Sequence, residues 1–223
     1  MISFPTATLR VFGNEPEWLA GRRPAIGSSD AQKLWGAVPG DAQELVAEKL
    51  GLVPPFEDFA ASSREIQTGK RVERFLVDWV GGEIKHRTVP LSLAIATSTV
   101  HPFLATSPDG VVLDADDRPI GLVEAKFTKR LIEWDPERRA WTTISWDRGH
   151  RPLRWIVQTQ HQLMVTGLPR VYLVVFIGSE GRIEYDVIER NESFIARHRA
   201  RCARVWQEIE AEQNPCGAGG EVA

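Results

Sequence analysis

The chain has 223 residues, 43% of them hydrophobic, which suits one domain, or one domain with a small appendage, around a real core. Its formal net charge is −3, so bulk charge does not advertise a nucleic-acid binder, although a local basic strip and a carboxylate metal site are both compatible with that total. Two cysteines, Cys202 and Cys216, are too few for a zinc ribbon or an iron–sulfur cluster. The N-terminus lacks a basic-then-apolar signal, and no apolar run reaches the roughly 18–20 residues of a spanning helix, so a soluble cytoplasmic protein with no membrane contact is the expectation.

The first third reads helical. Glu15 to Ala20 suits a short helix, and Ser28-Ser29-Asp30 sits where an N-cap belongs, before AQKLWG. Asp41 to Leu50 is a second short helix, ended by Gly51 and by Pro54-Pro55. Ser62 to Val80 is a longer one, with Ser63 as N-cap, an apolar stripe of Val72, Phe75, Leu76 and Trp79, and Gly81-Gly82 as its stop. The middle turns extended: Ile84 to Ala96, His101 to Thr106, Val111 to Leu113 and Ile120 to Phe127, with a turn at residues 116–119. Arg154 to Gly167 reads as a helix, Val171 to Ile177 and Arg182 to Ile188 as a hairpin across GSEG, and Glu192 to Glu212 as a final helix capped by Asn191. This order predicts a mixed α/β (α+β) fold with a central sheet flanked by helices, spanning residues 1–212, followed by a frayed Gly-rich tail at 213–223.

Chemistry concentrates in SPDG and GLVEAKF. Asp109 falls at a turn or strand end. Glu124 and Lys126 share one face of a strand, because side chains two apart project to the same side. Two carboxylates offer hard oxygens to Mg²⁺ or Mn²⁺, and the lysine offers a charge or a proton-transfer group beside an attacking water. The bland alternative is a surface turn and a solvated strand, but GLVEAKF is apolar around its charges. Glu73 reads either as a solvent-facing helical glutamate or as a third carboxylate aimed at the same place. Gly69, one turn earlier, would permit close approach of another backbone. In QTQHQLMVTG, Gln158 and Gln162 share a helical face and Gln160 points elsewhere. These amides are either ordinary polar positions or partners of a water, phosphate or metal ligand, and His161 is either a general base or a satisfied core histidine. Arg22, Arg23, Ser28 and Ser29 suit a phosphate cradle at a helix start or simple capping. Trp134, Trp141, Trp146 and Trp155 lie in a long Arg- and Glu-rich segment, where they either stack on bases or anchor the loop.

Taken in order, WLAGRR, IGSSDAQKLWG, TGKRVE, SPDG, GLVEAK and QTQHQLMVTG resemble the YqaJ-type viral recombinase family. That family includes the phage lambda exonuclease and lies in the PD-(D/E)XK nuclease superfamily, with its restriction-endonuclease-like core. The resemblance runs from about Trp18 to Gly167 and more loosely through DVIERNESFI. It implies a divalent-metal-dependent (Mg²⁺ or Mn²⁺) exonuclease that digests one strand of duplex DNA ends 5′→3′ and leaves 3′ single strands for phage-type recombination. By motif, Asp109, Glu124 and the backbone carbonyl of Ala125 would hold the metal, and Lys126 would position or activate the water. Glu73 would contact the metal region, Gln158 or Gln160 would be the motif glutamine, and Arg22 and Ser29 would hold the 5′-phosphate. A single-strand annealing protein and a homotrimer are the assembly partners the resemblance implies. GSSD stands where Gly-Gly-Ser-Asp is commoner, and the Trp-rich segment 129–152 matches no motif of the family. The alternatives are an endonuclease or resolvase of the same superfamily, or a non-catalytic DNA-binding protein on the same fold. An intact Asp, Glu and Lys set argues against the last.

Overall fold

The computed structural model describes residues 2–53, 64–146 and 149–214. The N-cap assigned to Ser63, Cys216 and all but the first two residues of the C-terminal tail lie outside them. In chain order the elements begin with β1 (Ala7–Val11), α1 (Glu15–Arg22), a 3-10 helix (Asp30–Trp35), α2 (Ala42–Lys49) and α3 (Arg64–Ile84). The strands β2 (Arg87–Pro90), β3 (Ala94–Ser98), β4 (Ala105–Thr106), β5 (Gly110–Leu113) and β6 (Pro119–Thr128) follow. A hairpin of β7 (Ile132–Asp135) and β8 (Ala140–Thr143) leads to α4 (Leu153–Thr166), β9 (Arg170–Ile177), β10 (Arg182–Glu189) and α5 (Glu192–Gln213).

The central sheet has the order β10-β9-β6-β5-β2. It is mixed: β6 and β9 run parallel, while the other neighbours are antiparallel. Helices cover both faces. On one face Leu76, Val77 and Val80 of α3, all fully buried, meet Val112, Val123, Tyr172 and Val174. Each such burial contributes roughly 1.5–3 kcal/mol. On the other face α4 brings Val157, Leu163 and Val165 against Val111, Leu122 and Val171. Strand alternation accounts for the split: Val123 faces α3, so Leu122, Glu124 and Lys126 face α4. A second antiparallel sheet, β1-β3-β4, packs with the 3-10 helix and α5 around the remaining sides of α4. Every residue of α4 from Val157 to Thr166 is consequently buried.

Several local expectations are corrected. α3 does not stop at Gly81-Gly82 but runs to Ile84, and the chain turns at Lys85, which takes a left-handed φ of 55°. Of its expected stripe Leu76 is fully buried and Val72 and Trp79 pack half-buried beside it, but Phe75 is 54% exposed, and Val77 and Val80 complete the buried face instead. Ser29 makes no capping bond. Instead the Asp30 carboxylate accepts from the Gly27 amide (2.8 Å) and closes the turn that leads into the 3-10 helix. The stretches 84–96 and 101–106 are only partly extended, and β1 was not anticipated. In the Trp-rich segment, Trp146 and Trp155 are buried anchors, while Trp134 and Trp141 meet edge to face across the β7–β8 hairpin at 5.5 Å.

Candidate active site

Asp109 stands at the start of β5, where α3 comes close to the sheet. The residue after it must be glycine: a Cβ on Gly110 would lie 2.7 Å from Val77 Cγ1 and 3.3 Å from the Val89 carbonyl oxygen. The Asp109 carbonyl accepts from the Leu91 amide (2.8 Å), which pins the backbone. Pairing of β5 with β6 ends at Gly110 and Val123, so beyond it β6 presents unpaired backbone on that side. There the Ala125 amide donates to Asp109 Oδ2 at 2.7 Å. In a pleated strand a residue's N–H and C=O leave on the same side, so the Ala125 carbonyl also faces the cleft beside Asp109.

Glu124 is 1% exposed, and a carboxylate that deep needs partners. It has three. Gln158 Nε2 donates to Oε1 at 2.6 Å, Gln162 Nε2 donates to Oε2, and Lys126 Nζ sits 2.5 Å from Oε1. Lys126 also donates to Gln158 Oε1 (2.9 Å), which accepts from Gln32 Nε2 as well (3.1 Å). The strand supplies carboxylate and ammonium on one face, and α4 supplies two amides one turn apart that fix their directions.

Glu73 projects from α3 toward the same place. It lies three and four residues before Leu76 and Val77, on the face turned to the sheet. Burial, then the charge of Glu124, raises its carboxyl to about 7, while Lys126 and Lys70 pull the other way. Asp109 is held well above the usual carboxylate range by burial, then by Glu124 and Glu73, against the smaller opposite pull of Lys126 and the Ala125 amide. Two carboxyls raised in this way beside the Glu124 carboxylate are the electrostatic signature of a place that accepts a cation. Hard oxygen donors of this kind suit Mg²⁺ or Mn²⁺.

The cleft lined by Lys70, Glu73, Asp109, Glu124, Lys126 and Gln158 encloses about 380 Å³. It runs into a second, of about 290 Å³, which shares Lys70, Glu73, Asp109 and Gln158 and extends to Trp18, Arg22 and Ser29. In that extension the Arg22 guanidinium lies 4.7 Å above the Trp18 ring and donates to Ser29 Oγ at 2.8 Å. Ser28 is buried and accepts from Thr106 Oγ1 (3.2 Å). Burial alone would raise Asp30, but the adjacent Lys49, 2.7 Å away, and Arg22 more than offset it and hold the carboxyl low.

Asp109, Glu124, Ala125, Lys126, Glu73 and Gln158 therefore meet in one cleft, with Arg22 and Ser29 along its continuation. Gln160 does not join them. Its amide donates to the Glu189 carbonyl (2.8 Å) and accepts from the Asn191 amide (2.9 Å), because two residues along a helix turn the side chain by about 200°. Gln162, fully buried against Glu124, is the partner that motif reading passed over, although its shared face with Gln158 was visible in the spacing. Gly69 is not forced by close packing, since a Cβ there would meet only Phe127 Cβ, at 3.8 Å.

His161 is not in the cleft. It belongs to a buried relay with His198, and Cys202 lies within the same 4.8 Å cluster. The Trp35 indole can only donate, so His198 Nδ1 accepts from it at 2.9 Å. His198 Nε2 then carries the proton given to His161 Nδ1 (3.0 Å), and His161 Nε2 donates to the Ala105 carbonyl (3.1 Å). All four ring nitrogens are engaged, so the cluster is a structural tie among α4, α5, the 3-10 helix and β4 rather than a metal centre. Burial pushes the Cys202 thiol up to about 12, which leaves it inert.

Residues 17–169 match the family model of the YqaJ-like viral recombinase domain. The uncharacterized protein YqaJ of Bacillus subtilis (strain 168) is 27% identical over 195 residues, which cover 80% of this chain and 51% of that protein, so the chain spans about half the length of the curated relative it matches. Among solved structures, the alkaline exonuclease LHK-Exo from Laribacter hongkongensis superposes with a TM-score of 0.64 at 18% identity, covering 89% of this chain and 94% of that one. Its complex with dAMP gives 0.65 at 19% identity, with the same coverage. A phage-related exonuclease from Haemophilus somnus 129PT gives 0.57 at 12% identity, covering 86% and 96%. At such identities the likeness establishes a shared fold, a mixed sheet flanked by helices. With the domain match covering well over half of its residues, the chain belongs to the YqaJ-like viral recombinase family.

Proposed function

We propose that this protein is a divalent-metal-dependent exonuclease that acts on duplex DNA ends in the 5′→3′ direction and leaves 3′ single strands for recombination. One observation carries the reading: Asp109, Glu124 and Glu73 converge on Lys126 and Gln158 in a cleft continuous with the Arg22–Ser29 cradle. Asp109, Glu124 and the Ala125 carbonyl would hold Mg²⁺ or Mn²⁺, with Glu73 at its edge. When bound, the ion lowers the pKa of a water and neutralises charge building on the scissile phosphate. The chain does the rest. Asp109 Oδ2 is committed to the Ala125 amide, which leaves Oδ1 for the ion. Gln158 and Gln162 fix the plane of the Glu124 carboxylate before anything binds, so little reorganisation accompanies the reaction. Lys126, tethered to Glu124 and Gln158, orients the attacking water. Arg22 beside Ser29 supplies the cationic donor for a terminal 5′-phosphate, which sets the polarity of cutting.

The test is a timed digestion of linear duplex DNA with Mg²⁺, comparing 5′-phosphate and 5′-hydroxyl ends. The phosphorylated end should be consumed faster, and EDTA should stop the reaction. A covalently closed circle cut as fast as the linear duplex would replace this reading with an endonuclease. Binding of DNA without any cleavage would replace it with a non-catalytic binder.

A further inference from the structure

Away from the Arg22–Ser29 cradle the cleft opens along β6, past Lys126 and Phe127. Just beyond, the chain enters the β7–β8 hairpin, which the site described above does not use. Residues 129–155 hold seven Lys and Arg against four Asp and Glu, a net of +3 in a chain of −3, and four of its eight tryptophans. Basic residues interleaved with aromatic ones suit single-stranded nucleic acid. Two of the four tryptophans, Trp146 and Trp155, are buried. The other two, Trp134 and Trp141, are register partners across the hairpin, and Trp141 is 43% exposed.

Arg154 ties this hairpin to the site. It precedes Gln158 and Gln162 on α4 by four and eight residues. It therefore stands on the helix face that holds Glu124, one turn and about 6 Å beyond Gln158. Its guanidinium donates to the Ile132 carbonyl of β7 at 2.6 Å and lies 4.8 Å from the centroid of the Trp141 ring. A cross-strand tryptophan pair accounts for stability of the hairpin itself. It does not account for the cation against it. Arg154 occupies the first turn of a helix, where the dipole disfavours positive charge, and burial lowers it to about 10. Glu133, whose charge acts against that shift, is itself spent on the Leu153 amide (2.9 Å) and His150 (2.6 Å). Among the described residues no carboxylate pairs with Arg154.

On the reading of the cleft given above, we propose that the face of Trp141 turned away from Arg154 is a stacking site for an unpaired nucleobase of the strand being cut, on the 3′ side of the scissile phosphate, and that Arg154 is the positioning residue that holds the ring. The carboxylate cleft, about 380 Å³, is too small to admit a duplex, so that strand must part from its complement before it reaches Asp109 and Glu124. Each base that unpairs loses its stacking neighbours. A tryptophan ring at the mouth of the cleft replaces one of them, and does so for any base, since every base offers a π face. The uncompensated charge of Arg154 behind the ring favours an anionic strand there over a neutral ligand.

The experiment measures KM and kcat for Mg²⁺-dependent digestion by the full chain and its variants. The substrate is a 5′-phosphorylated duplex, fully paired or with one abasic site at successive positions near the 5′ end of either strand. Trp141→Leu, which keeps apolar bulk and removes the aromatic face, should raise KM about tenfold on the paired duplex, and Trp141→Phe should recover most of that loss. At one position of the cut strand an abasic site should raise KM for the parent and cost Trp141→Leu little more. Arg154→Gln should give the same pattern at smaller amplitude, and Arg154→Lys, which keeps the charge, should recover part of it. Melting temperatures should agree to within a few degrees. Where Trp141→Leu falls short of that, Trp141→Thr, better suited to a strand, carries the same comparison. If Trp141→Leu digests like the parent, if its loss adds to that of every abasic site alike, or if it responds only to abasic sites in the spared strand, the stacking site is overturned while the nuclease reading stands. If the unsubstituted protein does not digest the duplex, the nuclease reading falls and the stacking site falls with it.

Discussion

Gln162 donates its side-chain amide to Glu124 Oε2 from within the core, where neither residue is more than 1% exposed. With Gln158 on the other oxygen, the Glu124 carboxylate is clamped at both ends by one face of α4. Gln162→Leu, which fills the same space without a donor, leaves a buried carboxylate oxygen unpaired. It should cost about 1–3 kcal/mol of stability, read from urea midpoints. Cleavage should fall mainly in kcat, since Gln162 is not among the cleft-lining residues and the loss concerns how Glu124 is held. Gln160→Ala is the contrast. It should lose stability at the β10–α5 junction, where its amide bonds Glu189 and Asn191, with kcat unchanged in the folded fraction.

Metal binding should appear in thermal stability. A ligand at 100 times its dissociation constant stabilises by about 2.7 kcal/mol. Mg²⁺ should therefore raise the melting temperature of the protein. Asp109→Ala removes one of three mutually repelling carboxylates, so its metal-free form should melt no lower than the parent through electrostatics alone. Its Mg²⁺-dependent rise should vanish. Lys126→Ala should keep the rise, because the lysine is not an ion ligand, and should abolish cleavage. A Lys126→Ala variant with full activity would remove the assignment of that residue.

Gly110 and Val77 set the distance between Asp109 and Glu73. A methyl at Gly110 would sit 2.7 Å from Val77 Cγ1, and Val77 lies one turn from Glu73 on the same helix. Gly110→Ala should push α3 off the sheet, at an overpacking cost of about 1–3 kcal/mol, and lower kcat by displacing Glu73. Val77→Ala removes the obstructing methyls. The double variant should regain part of the activity, and a coupling energy near zero in this cycle would mean that the contact does not control the site.

The parts of this architecture that were readable in the sequence are those fixed locally. β5, β6, β9 and β10 announce themselves by β-branched runs bounded by turn residues, and the cap at Asn191 holds as read, its side chain accepting from the Phe194 amide. What escaped depends on distant parts of the chain. Of the stripe read on α3, Leu76 is buried and Val72 and Trp79 pack at its margin, but the sheet selects Val77 and Val80 in place of Phe75, and it is this register that turns Glu73 inward. The glutamines of α4 read either as ordinary polar positions or as partners of a water, phosphate or metal ligand. They are buried because α5 and the 3-10 helix close over them, which no local pattern encodes. Family resemblance pointed at Gln158 or Gln160, and only the helical angle to Glu124 separates them and adds Gln162.

The histidine relay should make the fold acid-sensitive in a defined window. Burial is the main cause that lowers His161 to about 4 and His198 to about 2. For His198 the neighbouring His161 and Arg201 add to it, whereas His161 is partly offset by its bond to the Ala105 carbonyl and by Asp30. Both are neutral in the folded chain, and the relay has no acceptor for an added proton. In the unfolded chain they titrate near 6.5, so below that pH the unfolded state binds more protons than the folded one. Stability is therefore fully present above about pH 6.5 and falls as pH drops toward about 4. Each histidine contributes a slope of about 1.4 kcal/mol per pH unit. Urea midpoints at pH 7.5, 6.5, 5.5 and 4.5 should be level over the first interval and then decline, and His198→Gln, if it folds, should decline less steeply. A level midpoint from pH 7.5 down to 4.5 would mean that the pair accepts a proton in place, contrary to the donor and acceptor assignment fixed by Trp35 at one end and the Ala105 carbonyl at the other.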